Sequence, residues 1–344
     1  MYPNVLIDVV GGCNAKCPLC VTGRVSFGQR LRFMSVDDFA RVLDRLLELE
    51  LAIPGRTVIH LHNWGEPVLH PDLDGLVAAL NARRLLISIS TNSSKATGFT
   101  VSTEGFDRVV FSMPGWSQAS YDKVHGLRFD RVVANIEATM RNMRATGYRG
   151  KFTLSYHVYQ FNAFEELAAA RAWCDPRGIE LFPYYAFIND YEPMVAFLTK
   201  TMPVEQREEI SRTLFLHYLD DLLAARASNE TCWQWDDQLT INHRAEVLLC
   251  CVLPETHEAA ILGSVFALSR DEIVTKKKSS PECATCFSSG AHAWCHNFQS
   301  IPRPPDPHDE PREGLVDAIR KHVAQLRFRL RIRTRLRALM GGEL

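Results

Sequence analysis

The sequence Cys13-Asn-Ala-Lys-Cys17-Pro-Leu-Cys20 places three cysteines at C-x3-C-x2-C spacing near the start of a 344-residue chain. Cysteine thiolates are common ligands of iron–sulfur clusters, and a cluster of four irons has four ligand positions to fill. Three thiolates therefore leave one iron free for a ligand that is not part of the protein. We expect this open iron to be the centre of the protein's chemistry.

Two simpler interpretations of the three cysteines are a zinc site and a disulfide framework. A zinc site requires a fourth Cys or His at finger-like spacing, and the loop contains no histidine. Disulfides persist in oxidising compartments, whereas residues 1–10 lack the charged segment and cleavage site of a signal peptide. We therefore expect reduced thiols and a cytoplasmic location.

The composition is that of a globular protein. With 46% hydrophobic residues, the chain can bury one large core or two smaller ones. Its apolar runs are shorter than the ~20 residues that cross a bilayer, so we expect no transmembrane segment. A formal net charge of −1 gives no general case for binding nucleic acid.

Strand-like apolar runs alternate with helical segments through the first half of the chain. The strand-like runs are residues 5–10, 58–62, 85–91, 108–112, 152–158 and 179–185. The helical segments are a helix that begins after Ser35 and residues 71–83, 118–125, 129–146 and 164–174. This alternation predicts an α/β fold with a mainly parallel sheet and a functional site at the carboxyl ends of its strands.

The cysteine loop after the first strand, followed by Gly65-Glu66-Pro67 after the second, resembles the radical S-adenosylmethionine (radical SAM) superfamily. The resemblance implies a partial (β/α)6 barrel and a 4Fe-4S cluster on the three cysteines. In that family the open iron binds the amino and carboxylate groups of SAM, and an electron from the cluster cleaves SAM to a 5'-deoxyadenosyl radical. The resemblance also implies an electron donor of the flavodoxin or ferredoxin type.

The same resemblance assigns cofactor-binding roles to a small set of residues. These residues are Leu19, Gly65, Glu66, Pro67, Asn92 and Ser112. The Glu66 carboxylate and the backbone around it are expected to receive the SAM ammonium group. Asn92 and Ser112, at two strand ends, are expected near the SAM ribose or methionine, and Leu19 replaces the family's usual aromatic beside adenine. The alternative is structural: a turn at residues 65–67 and cap hydrogen bonds from Asn92 and Ser112.

Six further cysteines lie between residues 232 and 295. They are Cys232, Cys250, Cys251, Cys283, Cys286 and Cys295. Residues 204–225 predict a helix, and residues 238–250 predict a hairpin with a polar turn at residues 242–245. The region resembles the twitch domain, a shortened SPASM domain that encloses an auxiliary cluster. The resemblance implies a second 4Fe-4S cluster, and Ala245 stands where the family has glycine. The implied ligands are Cys232, Cys250, Cys283 and Cys286.

Two questions about the second cysteine group stay open. Cys251 competes with Cys250 as a ligand, and Cys295 is a further candidate. Structural zinc is the main alternative to a cluster, because C-x2-C pairs suit both metals. Cys174 falls on a predicted helix and is interpreted as a small core residue.

Substrate contacts are predicted from strand alternation alone. Alternate residues of the fifth and sixth strands face opposite sides of the sheet, so some of their aromatic side chains face the barrel lumen. The candidate catalytic residues are Tyr156, His157, Tyr184 and Tyr185. By default such side chains belong to the core. His60 and His62 are interpreted as hydrogen-bonded interior histidines.

The sequence predicts three parts in order. A radical SAM barrel occupies residues 1–188, a small α+β auxiliary-cluster domain residues 189–300, and a tail residues 301–344. The tail contains a proline-rich linker at 302–311 and a basic amphipathic helix at 320–337. We expect this helix to pack on its own domain, and contact with an anionic membrane surface is the alternative.

These resemblances favour radical oxidation of a small molecule. The expected substrate is a sugar, aminocyclitol or sugar nucleoside whose carbinol carbon is oxidised in natural-product (such as antibiotic) or glycan biosynthesis. Alternatives are a radical decarboxylase or epimerase of a uronic acid or sugar, and a peptide maturase. A non-enzymatic metal scaffold is a further alternative, although it leaves Gly65-Glu66-Pro67 unexplained.

Overall fold

A computed structural model of the chain describes residues 1–25, 31–226 and 231–295, which lie in one compact unit, Met1–Pro302. Its centre is a nine-stranded sheet in the order β6-β5-β4-β3-β2-β1-β7-β8-β9. The strands are β1 Asn4–Ile7, β2 Val58–His60, β3 Leu86–Thr91, β4 Phe106–Met113, β5 Phe152–Val158, β6 Glu180–Tyr185, β7 Gln238–Ile241, β8 Glu246–Leu248 and β9 Ile261–Ser264.

Helices connect the parallel strands and cover the sheet. They are α1 Val21–Val25, α2 Val36–Glu48, α3 Leu73–Ala82, α4 Gln118–Lys123, α5 Phe129–Ala145, α6 Glu165–Cys174, α7 Tyr191–Leu198, α8 Val204–Thr213, α9 Leu219–Arg226, α10 Trp233–Asp236, α11 Arg270–Lys278, α12 Pro281–Ser289 and α13 Ala291–Cys295. The predicted start of α2 is confirmed, because the Ser35 side chain accepts the Asp38 amide at 3.0 Å. Within the described residues, no helix is long and apolar enough to cross a membrane.

The first six strands are parallel and neighbour one another in chain order. Helical chain joins each pair except β3 and β4, which are connected by residues 92–105 without a helix. This arrangement confirms the predicted α/β fold with a parallel sheet. That these strands form a partial barrel stays a prediction.

The sheet continues across the predicted boundary at residue 188. β7 pairs in parallel with β1, with Val5 opposite Leu239 and Ile7 opposite Ile241. β8 and β9 then add antiparallel strands at that edge. The division into domains at residues 188 and 300 stays a prediction, and the tail predicted at residues 301–344 lies outside the described residues.

The helix predicted over residues 204–225 is wrong as a single element. α8 ends at Thr213, and the next residue, Leu214, is extended with φ −97° and ψ 149°. The intervening Phe215 and Tyr218 are buried against Tyr185, each with its ring centroid 5.2 Å from the Tyr185 ring. Burial of these aromatic rings favours the break over a continuous helix.

The hairpin predicted at residues 238–250 is confirmed by β7 and β8. Its turn is closed by the Asn242 side chain, which accepts the amides of Arg244 and Glu246 at 3.0 Å. Ala245 follows with φ +59°. This is the left-handed region that glycine occupies without strain, which explains why glycine suits this position.

Candidate functional site

A cavity of about 250 Å³ opens at the carboxyl ends of the parallel strands. Segments that follow or end each of β1–β6 contribute to its wall, as expected for a parallel sheet. Its lining is Cys13, Ala15, Cys17, Leu19, Cys20, Thr22, His62, Asn63, Trp64, Gly65, Glu66, Ser90, Thr91, Asn92, Ser112, Val124, His125, His157, Tyr159, Tyr184, Ala186, Phe187 and Asn189. The cysteine loop and the predicted cofactor residues therefore meet in one place.

The three cysteines of the loop are half-buried free thiols on the cavity wall. Cys13 Sγ accepts the Ala15 amide at 3.4 Å and the Asn92 side-chain amide at 3.6 Å. Cys20 Sγ lies 3.4 Å from the Thr22 hydroxyl. Burial raises the pKa of Cys13 to about 12, with the nearby Glu66 carboxylate adding to the effect. Thiolates that ligate an iron–sulfur cluster accept hydrogen bonds from donors placed in this way.

Two glycines allow the loop to pack closely. A Cβ at Gly65 would lie 1.8 Å from the Val10 carbonyl oxygen, and a Cβ at Gly23 would lie 2.1 Å from the Cys17 carbonyl oxygen. Both obstacles are backbone atoms, which cannot rotate away. The loop that carries Cys17 and the loop that carries Glu66 therefore depend on these glycines for their positions.

The Asp8 carboxylate holds the loop after β2 in place. The sequence analysis did not identify Asp8 as a site residue. Its buried carboxylate accepts the amides of Asn63 and Gly65 at 2.8 Å and of Trp64 at 2.9 Å. Burial raises the pKa of Asp8 to about 6, while these three amides act in the opposite direction. The available signal was a lone carboxylate inside the apolar run of residues 5–10.

Glu66 lines the cavity and is tied to the end of β3. Its Oε1 accepts the Thr91 hydroxyl at 2.6 Å and the Val68 amide at 3.2 Å, and its Oε2 accepts the Asn92 amide at 2.7 Å. Each carboxylate oxygen can accept two hydrogen bonds, so Oε2 retains capacity for a cationic ligand. Burial raises the pKa of Glu66 to about 7. Pro67 begins a buried 3-10 turn and lies outside the cavity lining.

The remaining predicted cofactor residues also reach the cavity. Asn92 Nδ2 donates to the Asn14 side chain at 2.9 Å as well as to Cys13. Ser112 Oγ lies 3.2 Å from His157 Nε2, and Leu19 lines the same wall. The structure therefore brings together every predicted cofactor residue except Pro67. Whether they contact SAM stays a prediction.

Strand register divides the four candidate catalytic residues into two pairs. His157 and Tyr184 face the cavity, with ring centroids 4.9 Å apart. Tyr156 and Tyr185, whose catalytic role stays a prediction, lie outside the lining: the Tyr156 hydroxyl donates to the Asn162 carbonyl at 2.9 Å, and Tyr185 stacks on Tyr218. Side-chain alternation along β5 and β6 is the physical reason.

Three histidines line the cavity, of which two were not predicted to do so. Burial lowers the pKa of His125 to about 3 and those of His62 and His157 to about 4. They are therefore neutral imidazoles near pH 7. His62 accepts the Ser90 amide at 3.1 Å, whereas His60 lies outside the lining with its Nε2 3.0 Å from Asn4 Oδ1, as expected of an interior histidine.

The second cysteine group lies beside the β7–β8 end of the sheet. Cys232 precedes α10, Cys250 follows β8, and Cys283 and Cys286 lie on α12. The last three pack against a small core of Tyr191, Leu249, Leu253 and Ala260. Burial and nearby cysteine thiols raise the pKa of Cys232 to about 12.

Cys251 and Cys295 belong to the same group. Cys251 is half-buried and Cys295 is buried. A hydrogen bond with Cys250 raises the pKa of Cys251 and burial raises the pKa of Cys295, and the charges of neighbouring cysteines add to both effects. The choice between them and the four predicted ligands therefore stays open. Cys174 is fully buried at the end of α6, away from both groups, and is a core residue as predicted. Among the described residues, no three His, Cys, Asp or Glu side chains are placed to hold a single metal ion.

Lys277 was not recognised from the sequence. Its side chain on α11 is fully buried, and Nζ donates to the carbonyl oxygens of Gln234 at 2.7 Å and Gln238 at 2.9 Å. Burial lowers the pKa of Lys277 to about 8, and thiols of the second cysteine group oppose that effect. The ammonium is therefore charged near pH 7.

Comparison with known proteins supports the fold. No family model matches the chain. A GTP 3',8-cyclase of Stenotrophomonas maltophilia (strain R551-3) is 30% identical over 95 residues, which span 27% of this chain and 27% of that protein. Two solved structures with a similar fold contain bound S-adenosylmethionine, which is also called AdoMet.

Two solved structures match most of the chain. Native anSMEcpe with bound AdoMet has a TM-score of 0.53 at 18% identity, covering 80% of this chain and 81% of that one. Streptococcus suis SuiB bound to S-adenosylmethionine has a TM-score of 0.51 at 13% identity, covering 81% and 68%. The chain therefore has the mixed α/β fold, with a sheet of parallel strands, that is found in radical SAM enzymes.

Proposed function

We propose that this protein is a radical SAM enzyme that acts on a small, hydroxyl-rich molecule without acidic groups. The observation that carries the proposal is the convergence on one cavity of Cys13, Cys17 and Cys20 with Glu66 and Asn92. These residues come from the ends of three different strands. A merely structural role for each would not require them to share a cavity.

The residues present fit a 4Fe-4S cluster and SAM. The three thiols face the cavity, and Cys13 already accepts two N–H donors of the kind that stabilise a cluster thiolate. Glu66 Oε2 can accept a further hydrogen bond and is the proposed partner of the SAM ammonium group. Cys13, Cys17 and Cys20 would hold three irons, leaving the fourth for SAM.

When bound, the cluster and SAM supply the radical that removes a hydrogen atom from carbon. The chain's own contribution is to orient the substrate and to accept a proton. Oxidation of a carbinol to a ketone removes one hydrogen atom, one hydroxyl proton and one electron. His157 is a neutral imidazole at the cavity wall, 3.2 Å from Ser112, and is the proposed acceptor of the hydroxyl proton.

The electrostatics of the lining support a substrate without acidic groups. Among the described lining residues, Glu66 is the only Asp, Glu, Lys or Arg, and the three lining histidines are neutral near pH 7. Imidazole, hydroxyl and amide groups pair well with sugar or aminocyclitol hydroxyls. A phosphate or carboxylate would find no cationic side chain among these residues, which disfavours a uronic acid decarboxylase.

The second cysteine group is the proposed site of an auxiliary 4Fe-4S cluster on Cys232, Cys250, Cys283 and Cys286. A cluster ligated by four thiolates has no open iron for substrate, so its proposed role is to accept the remaining electron. An epimerase would begin with the same hydrogen abstraction and differ in how the substrate radical is quenched.

Peptide modification is the second candidate function. SuiB, to which the chain is similar at a TM-score of 0.51 and 13% identity, has been solved bound to its precursor peptide SuiA. A peptide substrate would bring backbone amides and side chains of either charge to the cavity, whereas the proposed substrates bring hydroxyl groups.

Anaerobic reconstitution with iron, sulfide, SAM and dithionite tests the proposal. We expect 5'-deoxyadenosine from the wild-type protein and none from a Cys13→Ala, Cys17→Ala, Cys20→Ala variant. Cys174→Ala, which changes a cysteine outside both groups, is the matched control and should retain the activity. Separate incubations with neutral sugars and aminocyclitols, uronates and peptides, analysed for consumed substrate, distinguish the candidate substrates. SAM cleavage by the triple variant would refute the proposal.

A further inference from the structure

Lys277 is a buried cation without a carboxylate partner. Its side chain is 0% exposed, although the flanking residues Lys276 and Lys278 face solvent. Within residues 1–25, 31–226 and 231–295, no salt bridge reaches Nζ, and its hydrogen bonds go to two neutral carbonyl oxygens. Burying a charge is strongly unfavourable unless a counter-charge lies nearby.

Lys277 Nζ lies 5.3 Å from the centroid of the Tyr2 ring, and thiols of the second cysteine group are near enough to act on its charge. Gln234, whose carbonyl accepts from Nζ at 2.7 Å, donates its side-chain amide to Cys251 Sγ at 3.3 Å. Cys283 Sγ donates to the Lys277 carbonyl at 3.4 Å. Gln234 also lies two residues after Cys232, at the start of α10. Lys277 is therefore linked to the second cysteine group through Gln234 and through its own backbone carbonyl.

We propose that Lys277 is the counter-ion of an iron–sulfur cluster held by the second cysteine group, and that its charge raises the reduction potential of that cluster. The inference rests on the auxiliary cluster of the proposed function. A 4Fe-4S cluster on four thiolates is anionic and becomes more so on reduction. A fixed cation nearby favours the reduced state, and net charge is one of the main determinants of cluster potential. A raised potential is what an electron acceptor requires.

Potentiometry of the auxiliary cluster tests the charge. Full-length protein carrying Cys13→Ala, Cys17→Ala and Cys20→Ala isolates the signal of the second site after anaerobic reconstitution. In this background, Lys277→Met should shift the equilibrium about tenfold toward the oxidised cluster. The reduction potential of the cluster should therefore fall by about 59 mV for a one-electron couple. Lys277→Arg keeps the charge and should restore most of the potential.

The matched control is Lys278→Met. Lys278 is the next residue on α11, is 45% exposed and pairs with Asp236 at 3.3 Å. Its replacement also removes one positive charge from the helix, but at the solvent-exposed surface, where water and salt screen it. It should leave the potential unchanged. Equal potentials for Lys277→Met and Lys278→Met would overturn the proposal.

A second measurement separates the counter-ion role from a structural one. Urea unfolding of the metal-free and reconstituted proteins should show that Lys277→Met destabilises the reconstituted form more than the metal-free form. Chelator-dependent iron loss should accelerate about tenfold, as expected when a group supporting a metal site is removed. If Lys277→Met costs both forms the same stability, the lysine is only structural and the proposal fails. A Lys277→Met variant that retains too little cluster for potentiometry, but whose metal-free form is as stable as that of the unsubstituted protein, would also support the counter-ion role.

Failure of the Lys277 proposal can be distinguished from failure of the proposed function. Metal analysis that finds zinc at the second site would overturn the role of Lys277, while 5'-deoxyadenosine formation by the wild-type protein would still support the SAM-dependent activity. A protein that binds the second cluster but never cleaves SAM would refute the proposed function and leave the potentiometric test intact.

Discussion

Asp8 Oδ1 accepts the Gly65 amide at 2.8 Å, linking the end of β1 to the loop that carries Glu66. The same oxygen accepts the amides of Asn63 and Trp64. The Glu66 amide in turn donates to the Gly12 carbonyl at 3.0 Å, in the segment that leads into the cysteine loop. The carboxylate thus sets the distance between the two loops that form one side of the cavity.

Asp8→Asn should destabilise the protein by about 2 kcal/mol, because an amide cannot offer all its sites as acceptors and leaves buried N–H groups unpaired. Urea unfolding monitored by circular dichroism measures the loss. Asp107→Asn, at an exposed position of β4, is the control and should remain within about 0.5 kcal/mol of wild type. Equal stability of the two variants would contradict the positioning role of Asp8.

Glu66→Gln should weaken SAM binding by about 1–3 kcal/mol, because the variant loses the charge that pairs with the ammonium group. Equilibrium binding to anaerobically reconstituted protein measures the change. Glu165→Gln, an exposed position on α6, should bind SAM as the wild type does. Unchanged affinity in Glu66→Gln would remove this carboxylate from the proposed cofactor contacts.

Glu66 should also make the stability of the metal-free protein depend on pH. Burial raises its pKa from the usual 4.5 to about 7. Between these values the folded protein keeps a proton that the unfolded chain releases, so the free energy of unfolding falls as pH rises, by up to about 3 kcal/mol. Asp8, with its pKa raised to about 6, acts in the same direction.

Urea unfolding between about pH 5 and about pH 7 tests this dependence. Glu66→Gln has no proton to release and should lose less stability across the window, with the remaining slope due to Asp8 and other groups. Glu165→Gln should keep the wild-type slope. If all three proteins show the same slope, the carboxyl is not buried as described.

Local patterns predicted much of the fold, because they depend on neighbours in the chain. The β-strands, the cap at Ser35 and the hairpin at residues 238–250 follow from alternation, capping and turn chemistry within short segments. The cysteine spacing likewise identified the first group without knowledge of the fold. Such features are readable because their partners lie within a few residues.

Roles set by distant contacts could not be predicted. Asp8 acts on amides 55 to 57 residues away, and Lys277 is buried by contacts with α10 and β7 although α11 has a polar sequence. His157 and Tyr156 differ only in strand register, which decides the face each side chain takes. Tertiary packing, which the sequence pattern does not encode locally, determined these outcomes.

Ala245→Gly should stabilise the protein by roughly 1 kcal/mol, because Ala245 has φ +59° and a Cβ is unfavourable there. Thermal or urea unfolding measures the gain. Ala267→Gly is the matched control, since Ala267 is an exposed turn residue without a positive φ and should lose about 0.5–1 kcal/mol. Destabilisation of Ala245→Gly would contradict the turn geometry.

Cys283→Ala combined with Cys286→Ala should separate SAM cleavage from substrate oxidation. Both thiols lie on α12 in the second cysteine group, away from the cavity that contains Cys13, Cys17 and Cys20. The variant should therefore still form 5'-deoxyadenosine. It should yield little oxidised product, because the proposed electron acceptor is missing.

The main risk of this experiment is that the region around α12 depends on its metal for folding, as small metal-binding domains often do. Circular dichroism and the iron content of the first site must therefore match those of Cys174→Ala before product is measured. Chromatographic quantification of 5'-deoxyadenosine and oxidised substrate in the same reaction then gives their ratio. In the wild type the two should form in comparable amounts, whereas the double variant should give 5'-deoxyadenosine in large excess. Retention of a wild-type ratio would mean that the electron leaves by another route and that the second cysteine group serves the structure alone.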